Sequence, residues 1–307
     1  RGDFATALKE WTPLAEQGDV YAQLSLGSMH ENGQGVPQDY KIAVKWYTLS
    51  AEQGYVFAQH NLGFMYDKGH GVPQDDKAAV KWYTLAAKQG FGGAQYRLGN
   101  MYSDGRGVKP DDKTAVKWYR LAAEQGHASA ETNLGFMYEN GRGVPQDYKT
   151  AAKWYKLAAE QGIADAQINL GRLHRDGKGV SKDSKEAIKW FRLAAEQEDP
   201  GAHHELGFMY EYGNEDIKNY DTAIMYYRLS AEAGYKEAQY SLGMVYLRGS
   251  GVPKDYVQAY KWFDISRQMG FLDGLWQRNE IEKRMTADQI SKAERLAEEW
   301  IDEHEKN

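Results

Sequence analysis

The chain has 307 residues and a net charge of −6, so it lacks the basic excess expected of a protein that binds nucleic acid or an anionic lipid surface. Its 42% hydrophobic residues, with 22 tyrosines, exclude a disordered composition, and the absence of cysteine excludes disulfides and thiolate chemistry. No apolar run approaches the length of a membrane span, so no membrane insertion is expected.

The first 18 residues resemble the second half of a longer unit. Residues 3–18 (DFATALKEWTPLAEQG) align with residues 39–54 (DYKIAVKWYTLSAEQG) at an offset of 36 residues. Because the first half of this unit is missing and the chain opens with Arg1, we expect that an upstream segment has been removed. No targeting sequence is visible in the chain itself.

A unit of 36 residues then recurs from Asp19 to Gly270 and carries a Leu-Gly pair in each copy, beginning with Leu26-Gly27. A fixed period in this range is typical of a solenoid, in which each unit buries its apolar face only against its neighbours. The period predicts seven repeats, at residues 19–54, 55–90, 91–126, 127–162, 163–198, 199–234 and 235–270.

One repeat, residues 55–90, is predicted to form a helix hairpin. Gly63 has no side chain, so another helix can approach the first helix closely there. Gly69 is placed to end the first helix in a left-handed conformation, Asp75 to cap the second helix, and Gly90 to end it. The apolar face of the first helix comprises Ala58, Leu62, Met65 and Tyr66. That of the second helix comprises Ala79, Val80, Tyr83, Ala86 and Ala87.

The same roles recur in the other copies. The predicted N-caps of the second helices are Asp39, Asp75, Asp111, Asp147, Asp183, Asn219 and Asp255. A tryptophan also recurs at a fixed position in the second helix, and we interpret it as a packing residue rather than a binding residue. These positions are Trp46, Trp82, Trp118, Trp154, Trp190 and Trp262, with Tyr226 in the sixth copy.

After Gly270 the repeat pattern lapses, because Arg278 stands where an eighth repeat would carry its leucine. Residues 271–307 are therefore predicted to be a helical cap. Residues 285–304 read as one helix, with Thr286 and Gln289 at capping-box spacing. A solenoid needs an end unit with a polar outer side to stay soluble.

The recurring pattern A-x3-LG-x-MY-x2-G-x-GVPQDY-x2-AVKWY-x-LAAEQG resembles the Sel1-like repeat of bacterial proteins, a relative of the tetratricopeptide repeat. A plain tetratricopeptide array is the alternative, but its unit has roughly 34 residues. The terminal MTADQISKAERLAEEW also resembles the closing helix of bacterial members. The resemblance implies an all-α fold, a right-handed α/α superhelix of seven helix hairpins with a C-terminal capping helix.

The resemblance also implies a function. Members of this family are adaptors, and bacterial members are often exported to mediate signalling or host contact. We therefore expect a non-enzymatic scaffold for a protein or peptide partner, located outside the cytoplasm in the periplasm or secreted. A glycan-binding solenoid and a hydrolase are the alternatives, and the partner and the oligomeric state are left open.

The sixth repeat departs from the family pattern. Residues 213–217 (GNEDI) replace GxGVP, and Glu198 stands where the preceding repeat should end in glycine. A non-glycine residue in the left-handed region costs about 1–2 kcal/mol, so we expect Glu198 to end its helix in another conformation. One hypothesis is that the superhelix changes curvature between repeats five and six, and neutral drift in a loop is the alternative.

A binding surface is predicted on the first helix of each repeat, which lines the concave side of two-helix solenoids. Residues outside the core positions and spaced 0, 4, 7 and 11 share one helical face. There asparagines offer a donor and an acceptor to a peptide backbone, phenylalanines serve as anchors or fill gaps between helices, and arginines are suited to clamp a carboxylate. The predicted partner-binding residues are Tyr21, Phe57, Asn61, Phe64, Lys68, Arg97, Asn100, Asn133, Phe136, Asn169, Arg172, Glu205, Phe208, Tyr212, Met244 and Arg248.

Catalytic motifs are weak throughout the sequence. The eight histidines are dispersed without an H-E-x-x-H motif, and the adjacent His203 and His204 point in different directions on a helix. No serine is followed by lysine three residues later, and the G-x-G pairs lack the further glycine of a nucleotide-binding loop. We therefore predict no catalytic residue, no metal site and no cofactor.

Overall fold

The computed structural model describes residues 4–304, and these residues form 17 α-helices and no strand. The chain divides into two compact units, of which the first ends at Ala158 and the second begins at Ala159. The helices that begin in the first unit are α1 (Phe4–Glu16), α2 (Val20–Asn32), α3 (Tyr40–Glu52), α4 (Val56–Lys68), α5 (Asp76–Lys88), α6 (Gly92–Asp104), α7 (Asp112–Ala123), α8 (Ala128–Asn140) and α9 (Tyr148–Glu160).

The second unit continues the same alternation of helices. Its helices are α10 (Ala164–Asp176), α11 (Ser184–Ala195), α12 (Pro200–Tyr212), α13 (Tyr220–Glu232), α14 (Lys236–Arg248), α15 (Tyr256–Gln268), α16 (Leu272–Glu282) and α17 (Ala287–His304). We call the even-numbered helices α2 to α14 the A helices and the odd-numbered helices α3 to α15 the B helices, so each repeat is one A–B hairpin. Among residues 4–304 no helix is apolar over a length that would cross a bilayer.

The ends of the helices follow the capping residues that the sequence predicts. The Asp75 carboxylate accepts hydrogen bonds from the backbone N–H groups of Lys77 and Ala78, at 2.9 and 3.0 Å. Gly69 has a φ of 70° and donates its N–H to the carbonyl oxygen of Met65, which ends α4. The other predicted N-caps accept backbone N–H groups in the same way, so these predictions are confirmed for Asp39, Asp111, Asp147, Asp183, Asn219 and Asp255.

The glycine of each Leu-Gly pair permits close packing between the two helices of one repeat. A Cβ atom placed on Gly63 would lie 2.8 Å from Cδ1 of Tyr83, and one on Gly99 would lie 2.6 Å from Cδ1 of Tyr119. A buried ring fills this place in all seven repeats, which confirms the predicted close approach. The seven rings are those of Tyr47, Tyr83, Tyr119, Tyr155, Phe191, Tyr227 and Phe263.

Adjacent repeats within a unit are joined by amide hydrogen bonds and by the recurring tryptophan. The Gln89 side chain donates from Nε2 to Oε1 of Gln59, at 2.8 Å, and to the carbonyl oxygen of Gly54, at 3.0 Å. Trp118 packs against a core cluster that joins Tyr83 of the second repeat to Leu98 of the third. Each repeat therefore extends the core of its neighbour, and the interpretation of Trp118 as a packing residue is confirmed.

The prediction for Glu198 is wrong, because Glu198 adopts the left-handed conformation with a φ of 61°. Its N–H donates to the carbonyl oxygen of Ala195 at 2.9 Å, as the Gly234 N–H does to Ala231. The next residue, Asp199, then caps α12 by accepting the N–H of Ala202. The short connection between the B helix and the next A helix thus keeps this position left-handed for glutamate as well as for glycine. The Asp199 cap at the start of α12 offsets the backbone strain at Glu198.

The cap region contains one helix more than the sequence predicts. Helix α16 keeps the A-helix register, and Arg278, at its leucine position, lies over the Tyr260 ring at 4.8 Å from the ring centroid. The predicted helix α17 begins with the capping box of Thr286 and Gln289, whose backbone N–H groups bond each other's side chains at 2.9 and 3.3 Å. Helix α17 packs against α15, and the ring centroids of Trp262 and Trp300 are 5.8 Å apart.

Candidate functional site

The predicted partner-binding residues lie on the A helices, and we call this set the A-helix stripe. The alanine, leucine, glycine and methionine positions of these helices are buried, so the remaining face is left to polar and aromatic side chains. In the first unit Tyr21, Phe57 and Phe136 are exposed, by 64%, 44% and 43%. In the second unit Phe208 and Tyr212 are exposed, by 37% and 51%.

Phe64 differs from the other stripe phenylalanines because it is half-buried. Its side chain packs against the cores of two successive repeats, which contain Leu62 and Leu98 respectively. The guanidinium of Arg97 lies over its ring, at 5.8 Å from the ring centroid. Phe64 therefore fills a gap between adjacent A helices, which is one of the two roles that the sequence left open for these phenylalanines.

The stripe amides are partly used within the protein. Asn133 donates from Nδ2 to Oδ1 of Asn100, at 3.1 Å, and the same oxygen accepts the Tyr119 hydroxyl, at 2.7 Å. Asn61 Oδ1 lies 3.2 Å from Nδ1 of His60. Asn169 has no side-chain hydrogen bond among residues 4–304, so its amide remains available to a ligand.

In the second unit the stripe contains a buried carboxylate with two arginines. Glu205 is only 5% exposed, and Arg172 Nε lies 2.6 Å from its Oε1, while Arg175 bonds its other oxygen. Arg172 thus clamps a carboxylate, as the sequence suggested, but the carboxylate belongs to the same chain. Asp176 also pairs with Arg175, at 2.7 Å, so two carboxylates balance the two arginines. The cluster therefore fixes the surface between α10 and α12 and offers no free charge to a ligand.

The irregular sixth repeat opens a cleft beside Phe208 and Tyr212. In other repeats the second glycine of GxG touches the preceding repeat, as at Gly251, where a Cβ would lie 2.4 Å from Cβ of Tyr220. The sixth repeat has exposed Glu215 there, and Gly213 is extended (φ −64°, ψ 171°) rather than left-handed. A cleft of about 860 Å³ results, lined by Arg175, Asp176, Lys182, Asp183, Ser184, Lys185, Phe208, Met209, Tyr212, Gly213, Asn214 and Ile217.

The remaining stripe residues are more dispersed. A second hollow of about 300 Å³ brings Met244 and Arg248 to the other side of Phe208 and Tyr212. Arg248 also contacts the Tyr212 hydroxyl and lies 3.9 Å from the buried Glu211. Lys68 is exposed and belongs to neither cavity. The structure therefore concentrates the stripe residues of the second unit around Phe208.

A leucine stripe on the B helices was missed by the sequence reasoning. Leu121 and Leu229 are 43% and 44% exposed, and the same position is exposed in other repeats, at Leu49, Leu85 and Leu157. The signal was present, because a leucine recurs at the 36-residue period outside the predicted apolar face. This second exposed apolar surface gives every binding experiment an internal control.

Two partly buried histidines make the stability of the fold dependent on pH. His204 lies between the rings of Tyr227 and Tyr235, at 5.6 and 5.5 Å, and its Nε2 is 3.1 Å from Oγ of Ser241. Burial lowers the pKa of His204, and burial also lowers the pKa of His60. The folded state thus favours the neutral imidazole, whereas the unfolded chain takes up the proton near a pH of about 6.5.

We expect the free energy of unfolding to fall as the pH drops from 7.5 to 5.5. The unfolded state binds more protons than the folded state in this window, so the contribution of His204 is full above its unfolded pKa and is lost below it. Urea denaturation at both pH values should show a smaller loss for His204→Gln than for the unchanged protein. An equal loss in both would contradict this assignment.

Metal binding by histidine and carboxylate side chains was considered for residues 4–304. Within residues 4–304 no group of three or more histidine, cysteine, aspartate or glutamate side chains is placed to hold a metal ion.

Three comparisons relate the chain to known proteins. The family model of the Sel1 repeat matches residues 20–55, 56–91, 93–127, 128–163, 164–199, 200–235 and 236–271. Among solved structures the chain is similar to a Sel1 repeat protein from Oxalobacter formigenes, with 36% identity over 86% of this chain and 77% of that one, and a TM-score of 0.68. It is also similar to a protective antigen of uropathogenic Escherichia coli strains with an SLR fold, at 30% identity over 97% and 87% of the two chains and a TM-score of 0.49. The comparison with curated proteins gave no match.

Proposed function

Because the chain belongs to the Sel1 repeat family, whose members are generally protein-interaction scaffolds, we propose that it is a non-enzymatic scaffold that binds a partner protein or an extended peptide on the A-helix stripe. The observation that carries this proposal is the exposure of Phe136 and Phe208 on A helices. Phe136 and Phe208 occupy the same position in their repeats as Phe64, but the Phe64 ring is half-buried and theirs are exposed.

An arginine of the same chain lies over each of these two rings. Arg142 lies over the Phe136 ring at 6.0 Å from its centroid, and Arg175 lies over the Phe208 ring at 5.3 Å. Arg142 is fixed in turn by the Asp112 carboxylate, at 2.7 Å. A rigid aromatic side chain loses little conformational entropy on binding, so each ring is suited to act as an anchor.

The cleft beside Phe208 supports binding in the second unit. Its volume of about 860 Å³ is in the range of ligand-binding clefts, and Phe208 and Tyr212 form an apolar wall. Lys182 and Lys185 lie at the start of α11 on its other side. A partner segment that places an apolar side chain between these walls would cover Phe208.

The proposal is tested by crosslinking pull-down with single substitutions of the anchors. We expect Phe136→Ser or Phe208→Ser to weaken partner capture about thirtyfold, since an aromatic anchor contributes about 2 kcal/mol to binding. The matched controls are Leu121→Ser and Leu229→Ser, which remove equally exposed apolar side chains from B helices of the same units. All variants should melt at the same temperature as the unchanged protein.

If the leucine variants lose the partner and the phenylalanine variants keep it, the site is on the B helices and the proposal fails. A location outside the cytoplasm also belongs to the proposal, on the resemblance to exported bacterial members. Fractionation of the native organism tests it, and recovery of the protein only in the cytoplasmic fraction would contradict it.

A further inference from the structure

Four aromatic side chains form a continuous row at the beginning of the A helices in the first three repeats. The ring centroids of Tyr21 and Tyr55 are 5.0 Å apart, those of Tyr55 and Phe57 5.6 Å, and those of Phe57 and Phe91 5.2 Å, all edge to face. We call these four residues the aromatic ridge. Tyr21 and Phe57 also belong to the A-helix stripe, and they are its two most exposed aromatic residues in the first unit.

The ridge replaces residues that would otherwise cap helices. Tyr55 and Phe91 are the N-cap residues of α4 and α6, and neither side chain accepts a backbone N–H. Asp19 and Asp199 occupy the same position in other repeats and do cap their helices. Each carboxylate accepts the N–H of the residue three positions later in the chain. Two repeats thus carry a ring at the position where an aspartate would cap the helix, and each ring is half-buried against an adjacent core cluster.

The four ridge side chains are uncharged, and the amide N–H groups of two nearby glutamines are already hydrogen-bonded. The only further ring contact of these four side chains among residues 4–304 is with His60, whose ring centroid is 4.9 Å from that of Phe91. Burial lowers the pKa of His60, so this ring is neutral at neutral pH. The side-chain N–H groups of Gln53 and Gln89, at the same end of the repeats, are hydrogen-bonded to other glutamines and to backbone carbonyls.

The ridge therefore offers ring faces and two tyrosine hydroxyls to a ligand. The hydroxyls of Tyr21 and Tyr55 have no hydrogen-bond partner within residues 4–304, so both are available as donors. A ligand that fits has an apolar surface, carbonyl acceptors, no net charge and few donors of its own. A pyranose fits less well, because its many hydroxyl oxygens need donors and the side-chain N–H groups of Gln53 and Gln89 are already hydrogen-bonded.

A proline-rich segment in the polyproline II conformation has the required chemistry. Proline has no backbone N–H, so such a segment presents carbonyl acceptors and apolar rings and needs few acceptors in return. Its three residues per turn repeat about every 9 Å along the axis. The ring centroids of Tyr21 and Phe57 are at most about 11 Å apart, because they lie 5.0 and 5.6 Å from the ring centroid of Tyr55. Rows of aromatic rings are the surfaces that other domains use to bind such segments.

We propose that the aromatic ridge binds a proline-rich segment of the partner protein in the polyproline II conformation. This inference rests on the proposed function and narrows its partner class at the first three repeats. Phe136 and Phe208 lie outside the ridge and contact other parts of the partner.

The test is fluorescence anisotropy with labelled ten-residue peptides, decaproline and an array of P-x-x-P sequences, against a glycine-serine peptide of the same length. We expect one or more proline peptides to bind and the glycine-serine peptide not to bind. Tyr21→Ala and Phe57→Ala should each weaken this binding about tenfold, since both rings are exposed anchors. Leu49→Ala, which removes a similarly exposed apolar side chain from a B helix of the same unit, should leave it unchanged.

Three outcomes overturn the inference: no proline peptide binds, binding is unchanged in Tyr21→Ala and Phe57→Ala, or a chitin or cellulose hexasaccharide binds in place of the peptides. Both variants remove surface side chains, and equal melting temperatures would show that they fold. The result is separable from the proposed function. If the ridge test fails and Phe136→Ser still loses the partner in the pull-down, the scaffold proposal stands without the ridge.

Discussion

Replacing Glu205 by glutamine is expected to lower the free energy of unfolding of the second unit by about 3 kcal/mol. Glu205 is buried and bonds both Arg172 and Arg175, so the substitution leaves Arg172 without its counter-charge and Arg175 with Asp176 alone. The side chains of Arg172 and Arg175 are 38% and 24% exposed, so the loss is smaller than it would be if all three charged groups were fully buried. Glutamine has the volume of glutamate, so the loss reports charge rather than packing.

The matched control is Glu186→Gln, which removes the partner of Lys189 in an exposed pair on α11 of the same unit. An exposed ion pair contributes about 0–1 kcal/mol, so this variant should unfold near the midpoint of the unchanged protein. Urea denaturation followed by far-ultraviolet circular dichroism measures both. Equal, small effects of the two substitutions would mean that the Glu205 cluster is solvated and does not fix the surface between α10 and α12.

Replacing Gly99 by alanine is expected to destabilise the first unit by about 2 kcal/mol, although alanine is the better helix former by about 1 kcal/mol. The added Cβ would lie 2.6 Å from two atoms of the buried Tyr119 ring, closer than side-chain atoms pack. The ring cannot withdraw, because it is only 3% exposed and its hydroxyl is bonded to Asn100. Thermal melting measures the effect.

The control for Gly99→Ala is Gly92→Ala in the same helix. A Cβ on Gly92 would meet only the end of the Gln125 side chain, at 3.5 Å, which is an ordinary contact. We expect no loss of stability at this position. If Gly99→Ala melts at or above the temperature of the unchanged protein, the Leu-Gly pair does not serve the packing described here.

The sequence predicted the fold well because its signals are local. Asp75 caps its helix and Gly69 ends the preceding one as expected, since each role depends only on residues within one turn. Glu198 was predicted wrongly for the same reason: its local strain was counted, but the constraint from the short B-to-A connection was not. The left-handed cap is set by the repeat as a whole.

The site was less predictable because it depends on contacts between repeats. Arg172 and Asn133 read as ligand-binding residues from the sequence, yet their partners, Glu205 and Asn100, lie 33 residues away in the adjacent repeat. Phe64 and Phe136 occupy equivalent positions, and only the structure distinguishes the half-buried ring from the exposed one. The exposed Leu121 was overlooked because the search for a binding surface was restricted to the first helix of each repeat.

The central claim is that the A helices, and not the B helices, bind the partner. The most direct test places a photocrosslinking amino acid at Phe136 and Phe208 on A helices and, in separate variants, at Leu121 and Leu229 on B helices, which are similarly exposed. We predict that irradiation in the native organism gives a covalent adduct with one and the same protein from the A-helix positions and none from the B-helix positions. Adducts from the B-helix positions alone would contradict the account and place the binding surface on the leucine stripe.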